Sequence, residues 1–320
     1  QAELALQAYE SARSISDSAR RIRALGEATV GCGLARHGLG RLAEAEVDLR
    51  TGIELYSSVD NDQGRWHAVL NLADIYRFQG RFTEALGLLE PQLESARMAQ
   101  RPMRYAGLLL NLAETQIELY RLGEVRDLLA ELEEVSVTRT HPRYEVALSL
   151  IRGRLYLASK DPKSALSILG PAVEEADKSG FSVIAGQLRG WLGEAMAYTG
   201  DAEGAEKETG RAMDALRDMI PILGEACGCR ARALLGREDP DLIFRPVMAW
   251  AQDEPARLIR LTYHLAAAQF AQDCGERHRS QQHYLHADGI FNEIGGLLSD
   301  GDRSALQVHP IRQQIKAAMA

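Results

Sequence analysis

Four residues near the C-terminal end are of the types that transition metals take: Cys274, His278, His283 and His286. Cys274 and His278 lie four apart, His283 and His286 three apart, and either step can bring side chains together on a helix. Gly275 falls at an expected turn, however, and helical phase spreads the four over well over a hundred degrees, about half the helix circumference. The pattern therefore argues for solvated or packed histidines, with His286 the one placed to turn inward, and against a metal site. Cys227-Gly-Cys229 has the wrong spacing for a zinc knuckle or a redox pair and reads as two buried thiols. No phosphate-binding loop, nucleophile elbow or zinc-protease helix occurs. Acidic residues and histidines are scattered at helical surface spacing. No catalytic residue, cofactor or enzymatic activity is expected.

Composition narrows the class. The net charge of −8 argues against a nucleic-acid partner, which calls for a basic field. No apolar run reaches the roughly 20 residues of a membrane helix, and no secretory leader is visible. Four cysteines are too few for a disulfide framework and fit a reducing cytoplasm. Arginine far outnumbers lysine, and alanine, leucine and glycine are abundant, which fits a GC-rich, bacterial coding source.

The elements that must position any site repeat. A small residue recurs every 40 residues: Gly33, Ala73, Ala113, Gly153, Gly193 and Ala233. A second series keeps the step at Ala5, Ala45, Ala85, Ala165 and Ala205, with Val125 in the gap. A fixed period of this size marks a solenoid, each unit burying its apolar face on its neighbours. Each unit reads as two helices. In WHAVLNLADIYRFQG, Val69, Leu72, Ala73 and Tyr76 share a face; in RFTEALGLLEPQLESA, Phe82, Ala85, Leu86 and Leu89 do. Gly80 separates them. The small residue of the first helix is expected to meet the alanine of the second where the two cross closely.

Residues 1–20 hold second-helix positions (Ala5, Tyr9, Ala12), so they read as the second helix of a unit whose first is missing, with an apolar face left uncovered. This predicts a chain cut from a longer protein. Tandem pairs fill 21–252. The step falls to 35 between Ala233 and Ala268, and Asp239-Pro240 and Arg245-Pro246 disturb the pair there. Residues 253–320 are read as a last pair, about 255–299, and one capping helix, about 302–318.

With Leu72, Ala73, Tyr76, Gly80, Ala85 and Leu89 in one unit, and Gly153, Tyr156, Ala165, Leu169 and Ala172 in another, the chain resembles the tetratricopeptide repeat family. The 40-residue step is similar to the lengthened repeats of spindle-orientation adaptors, kinesin light chains and bacterial signal-transduction ATPases. Arg36 and Gln116 replace the usual tyrosine, and Tyr120 and Lys160 the turn glycine. The tail 286–310 resembles the closing segment after repeats in large bacterial kinases and STAND-type ATPases. The resemblance implies an all-α, right-handed superhelical solenoid of about seven antiparallel helix pairs, with a concave face lined by first helices.

Rows on that face keep register. One is Gly31, Asn71, Asn111, Ile151 and Trp191; a second is Leu34, Asp74, Glu114, Arg154 and Glu194; a third includes His67; a fourth begins His37, Arg77. Asn71 and Asn111 occupy identical LNLA tetrapeptides. In the spindle-adaptor relatives, asparagines here hold the backbone of an extended peptide, and an amide supplies the matching donor and acceptor. Trp191 reads as an aromatic anchor or as packing against the next unit. Asp74, Arg77, Glu114, Arg154 and Glu194 read as partner contacts or as a solvated mixed-charge face. The expected function is protein or peptide binding, as the sensor or regulatory segment of a larger signalling protein whose effector domain lies elsewhere in the chain. A free-standing assembly adaptor, a peptide-pheromone receptor and a segment regulating a caspase-like protease remain open.

Overall fold

The computed structural model describes residues 2–18, 22–217 and 221–319, so the expected boundary at residue 20 lies outside the described residues. Among the described residues the regular elements are helices and no strand occurs. They run α1 (Ala2–Ser18), α2 (Ile22–Gly38), α3 (Leu42–Ser58), α4 (Asp62–Phe78), α5 (Phe82–Met98), α6 (Pro102–Glu118), α7 (Leu122–Glu134), α8 (Ser136–Thr140), α9 (Pro142–Ala158), α10 (Pro162–Lys178), α11 (Ser182–Thr199) and α12 (Ala202–Leu216). Then come α13 (Pro221–Leu235), α14 (Pro240–Ile243), α15 (Arg245–Asp253), α16 (Arg257–Asp273), α17 (Arg277–Gly296), α18 (Asp300–Gln307) and α19 (Pro310–Met319). The pairs are α2/α3, α4/α5, α6/α7, α9/α10, α11/α12, α13 with α14 and α15, and α16/α17.

The turns explain the period. Gly40, Asp60, Gly80, Gln100, Tyr120, Lys160, Gly180 and Gly200 all take the left-handed backbone conformation, on a 20-residue grid. At each the following N–H reaches five residues back, as Arg41 to Arg36, Arg81 to Tyr76, Arg121 to Gln116 and Asp161 to Tyr156. This closure satisfies the orphan carbonyls of a helix end. Tyr120 and Lys160 keep the turn geometry despite lacking glycine's freedom, so these units are not broken there. Asn61, Asp161 and Asp201 cap the helices that follow, and prolines occupy the first turns of α6, α9 and α10.

The small residues lie at helix crossings, with one difference from the expectation. Ala45, Ala85, Ala165 and Ala205 are completely buried. The closest neighbours of the first-helix glycines, however, stand one turn beyond those alanines: Leu49 on Gly33, Leu169 on Gly153 and Thr209 on Gly193. The crossing is a small residue under a branched one, which fills the interface more tightly than two methyls would.

First helices of successive pairs touch one another, from α2 with α4 to α13 with α16, while second helices make at most marginal contact with each other. The stack therefore bends toward its first helices. At the N-terminal end, Leu4 (71% exposed) and Ile15 (70% exposed) on α1 stand in solvent. At the other end the expected single capping helix is two, α18 and α19, because Pro310 starts a new helix after the break at Val308 and His309. These helices do more than cap: α15 to α19 pack across the turns of the first three pairs, and one apolar core joins Leu42, Phe82 and Leu119 to Ile290, Phe291 and Ile294.

Candidate functional site

The first-helix face carries the candidate residues at matching heights. α4 supplies His67, Asn71, Asp74 and Arg77; α6 supplies Asn111 and Glu114; α9 supplies Arg154; α11 supplies Trp191 and Glu194. The 40-residue register sets these side chains beside their counterparts on the next first helix.

The charged row is a ladder of ion pairs. His37 Nε2 approaches Asp74 at 3.4 Å, and Arg77 bonds Asp74 and, at 2.8 Å, Glu114. Arg154 reaches Glu114 at 3.6 Å and Glu118 at 2.6 Å, and Arg230 pairs with Glu194. Ion pairs thus link α4, α6 and α9, and α11 with α13, while α9 meets α11 through Arg154 on the Trp191 ring and His37 of α2 joins at the other end. Burial of these groups disfavours charge, yet Glu114 and Asp74 hold Arg77 firmly protonated. Burial pushes the Glu194 carboxyl up, against the opposing pull of Arg230. Burial keeps His37 neutral, its pKa lowered despite Asp74. Trp191 is half-buried between two guanidiniums, Arg154 at 4.8 Å and Arg230 at 4.1 Å from its ring centre. Of the two readings of Trp191, this is packing within the ladder. Glu118 and Arg230 were not singled out from sequence. Glu118 lies one turn beyond Glu114, and Arg230 follows Trp191 by 39 residues, one short of the period.

The asparagine row is less regular than its spacing suggests. Asn71 Nδ2 donates to His67 O at 2.8 Å and Asn111 Nδ2 to Gly107 O at 3.0 Å, each one turn back. Each amide is half-buried, and its oxygen has no hydrogen-bond partner among the described residues. Gly31, at the start of the row, lies under the Tyr9 ring, and Ile151 is buried in the apolar core. The accessible part of the row is therefore Asn71 and Asn111. His67 is exposed beside them, its ring tilted against that of Trp66 at 4.3 Å and bonded to Gln63 at 3.1 Å. Partial burial, then Arg104 and Arg143, lower its pKa.

The Cys-His cluster does not assemble. Cys274 and His278 are exposed, and His286, the one placed to turn inward, is exposed as well. His283 and His286 gather instead around His264 of α16: His264 Nδ1 is 3.1 Å from His283 Nδ1, and the His286 ring stacks at 4.9 Å. Sequence spacing had no means to supply His264, which comes from the preceding helix. Burial, with the neighbouring histidines, pushes its pKa down to about 4. Among the described residues no group of three metal-ligating side chains is placed to hold an ion. Cys32, Cys227 and Cys229 are buried, and burial pushes the Cys227 thiol up to about 11 and Cys229 to about 12, far from reactive thiolates. No described helix is long and apolar enough to cross a membrane.

Comparison with solved structures agrees with the fold. A Rap protein complexed with competence and sporulation factor superposes with a TM-score of 0.71 over 87% of this chain and 77% of that one, at 11% identity. A tetratricopeptide repeat protein from Parabacteroides merdae gives a TM-score of 0.42 at 16% identity, over 92% of this chain and 99% of that one. No family model matches the sequence, and the search of curated proteins returns no match. The chain has the architecture of a tetratricopeptide-type helical solenoid.

Proposed function

We propose that this solenoid binds an extended peptide or protein segment along its first-helix face, and that it serves as the sensor or regulatory segment of a larger, bacterial, cytoplasmic signalling protein. One observation carries the reading. Asn71 and Asn111 stand on adjacent first helices in the same tetrapeptide, each with one amide N–H bonded to its own helix and its carbonyl oxygen free. Two acceptors one helix–helix spacing apart, about 8–10 Å, can meet backbone N–H groups about three residues apart on an extended chain. The structural likeness to a Rap protein solved with competence and sporulation factor supports a binding role for such a face. The bend toward the first helices favours an extended occupant over a folded domain.

The test is selection from a random peptide display library, followed by affinity measurement on the selected peptides. Changing both Asn71 and Asn111 to Ala removes two hydrogen bonds worth roughly 1 kcal/mol each and weakens binding about tenfold or more. Undiminished affinity in the double variant would move the site off this face. Sequencing the reading frame around the chain tests the attached effector: a kinase or ATPase motif upstream supports regulation, and an ordinary start at a missing first helix supports the adaptor.

A further inference from the structure

The turns inside pairs, at residues 40, 80, 120, 160 and 200, share one backbone geometry but not one environment. Gly40 and Gly80 are buried, as are Leu119 and the residues that open the next helices, Leu42 and Phe82. Lys160 and Gly200 are exposed. The C-terminal helices make the difference.

They climb the turns in register. On the first, Trp250 of α15 donates Nε1–H to Gly40 O at 2.9 Å, and Glu254 accepts from the Ala43 N–H at 3.2 Å. On the second, Arg257 of α16 donates to Gln79 O at 3.1 Å, and Ile294 of α17 sits 2.9 Å from where a Cβ on Gly80 would lie. Just past that turn, Thr83 donates to Asp302 at 2.8 Å and accepts from the Ser299 N–H at 2.9 Å. On the third, Arg121 reaches the same Asp302 at 2.6 Å, and the His309 ring lies 5.4 Å from that of Tyr120.

We propose that these contacts form a clasp, which closes the solenoid on itself, fixes the curvature of the first-helix face, and opens as one unit while every helix pair stays packed. The argument is one of interface type. Along the solenoid, consecutive pairs meet helix against helix, through contacts local in sequence that do not involve the covered turns. The clasp shares the apolar core that joins Leu42, Phe82 and Leu119 to Ile290, Phe291 and Ile294, and adds side chains reaching turn backbone and one carboxylate, Asp302, shared between two units. Its parts are far apart in sequence and bridged by the same few helices, so losing one weakens the rest. Such a unit opens at a lower free energy than the whole fold. Curvature in a stack is the sum of small rotations between units, so release at the ends spreads over all of them. Any occupant of the first-helix face that prefers one curvature is then reciprocally coupled to the clasp. The inference stands independently of what that occupant is.

Two variants and a control test it on the whole chain, by hydrogen exchange with mass spectrometry and by small-angle scattering. Gly80→Ala puts a methyl against Ile294; Asp302→Asn weakens the shared carboxylate without touching a turn. The control is Gly200→Ala, whose glycine has the same left-handed geometry (φ 85°) but no neighbour within 4 Å. Both clasp variants should lose protection about tenfold or more at all three turns and at 250–302 together. The radius of gyration should rise with helix content unchanged. Gly200→Ala should do neither. Protection lost only at the altered turn, or the same loosening in Gly200→Ala, would overturn the clasp. If Gly80→Ala does not fold, Asp302→Asn decides alone, and an unchanged exchange pattern in it refutes the proposal.

Discussion

Replacing Gly153 by alanine sets two effects of opposite sign against each other. Gly153 lies within α9, where alanine is a better helix former by about 0.8–1 kcal/mol. The added Cβ would stand 2.3 Å from Leu169 Cδ2, 2.5 Å from its Cγ and 3.0 Å from its Cδ1. Carbon atoms rest at about 3.5–4.0 Å, so relief requires a shift of more than an ångström. Leu169 has no exposed surface and no room to turn away, so α9 and α10 must move apart. Overpacking of this kind costs about 1–3 kcal/mol and exceeds the propensity gain in all but its mildest form, leaving a net loss of about 1–2 kcal/mol. Gly87 on α5 supplies the reference. It is exposed, mid-helical and without a neighbour within 4 Å, so Gly87→Ala should stabilise by about 0.5–1 kcal/mol. Equilibrium denaturation followed by circular dichroism reads both, with the transition compared as a whole curve because solenoids can unfold in segments. Adding Leu169→Ala to Gly153→Ala should cost less than the sum of the two single changes, since each relieves the other. A Gly153→Ala variant at least as stable as the parent, or strict additivity in the double variant, would refute the crossing as the origin of the 40-residue step.

Two further outcomes follow from the buried charges. Arg154→Ala strands Glu118 and leaves Glu114 to Arg77 alone; both carboxylates keep some access to water, so the loss should be about 1–3 kcal/mol in the same assay, below the full penalty of a completely buried pair. For His264, burial together with His283, His286 and Arg260 lowers the folded pKa to about 4, against the partial opposition of Asp241. The unfolded chain then binds the proton first. Stability should be intact above pH 6.5, decline as pH falls from there toward 4, and stop declining on this account below 4. The ceiling is about 3 kcal/mol, reduced by the part of the ring that solvent reaches. His37, His283 and His309 are lowered too and act in the same direction, so His264→Gln should flatten the acid slope without abolishing it. A slope unchanged by that substitution would show that the histidine is not buried as described.

What the sequence disclosed was what repeats. Gly33, Ala73 and their successors announced the pairs, and the rows at 71/111 and 74/114/154/194 landed on one face because a strict step keeps phase. What it concealed lay between rows or off the period. Glu118 belongs to the ladder through the reach of Arg154 from the next helix, which no single-helix pattern encodes. Arg230 lies one residue off the Trp191 row, at a height the rows did not cover. His264 meets His283 only because α16 and α17 are antiparallel. The clasp was legible in outline: the residues opening second helices are Leu42, Phe82 and Leu122 in the first three pairs but Pro162 and Ala202 in the next two. A large apolar residue at the turn that then gives way to a small one marks which turns are covered. Its covering partner, some 210 residues away, leaves no local trace.

The pairing within the ladder bears on what the first-helix face can recognise. Asp74, Arg77, Glu114, Arg154 and Glu194 are mutually satisfied, and displacing any one of them to bind a partner's charge would leave its old partner uncompensated in a half-buried setting. A partner's charged side chain thus gains little there, and selectivity by point charge is disfavoured on the proposed reading. The amide oxygens of Asn71 and Asn111 carry no such penalty. An occupant held by them is read through its backbone and by the space around it, and that space is set by curvature. If curvature is in turn set at Gly40, Gly80 and Asp302, then residues that never touch the occupant govern which occupant fits. A partner's affinity should therefore respond to Asp302→Asn more strongly than to neutralising exposed charges on the convex side.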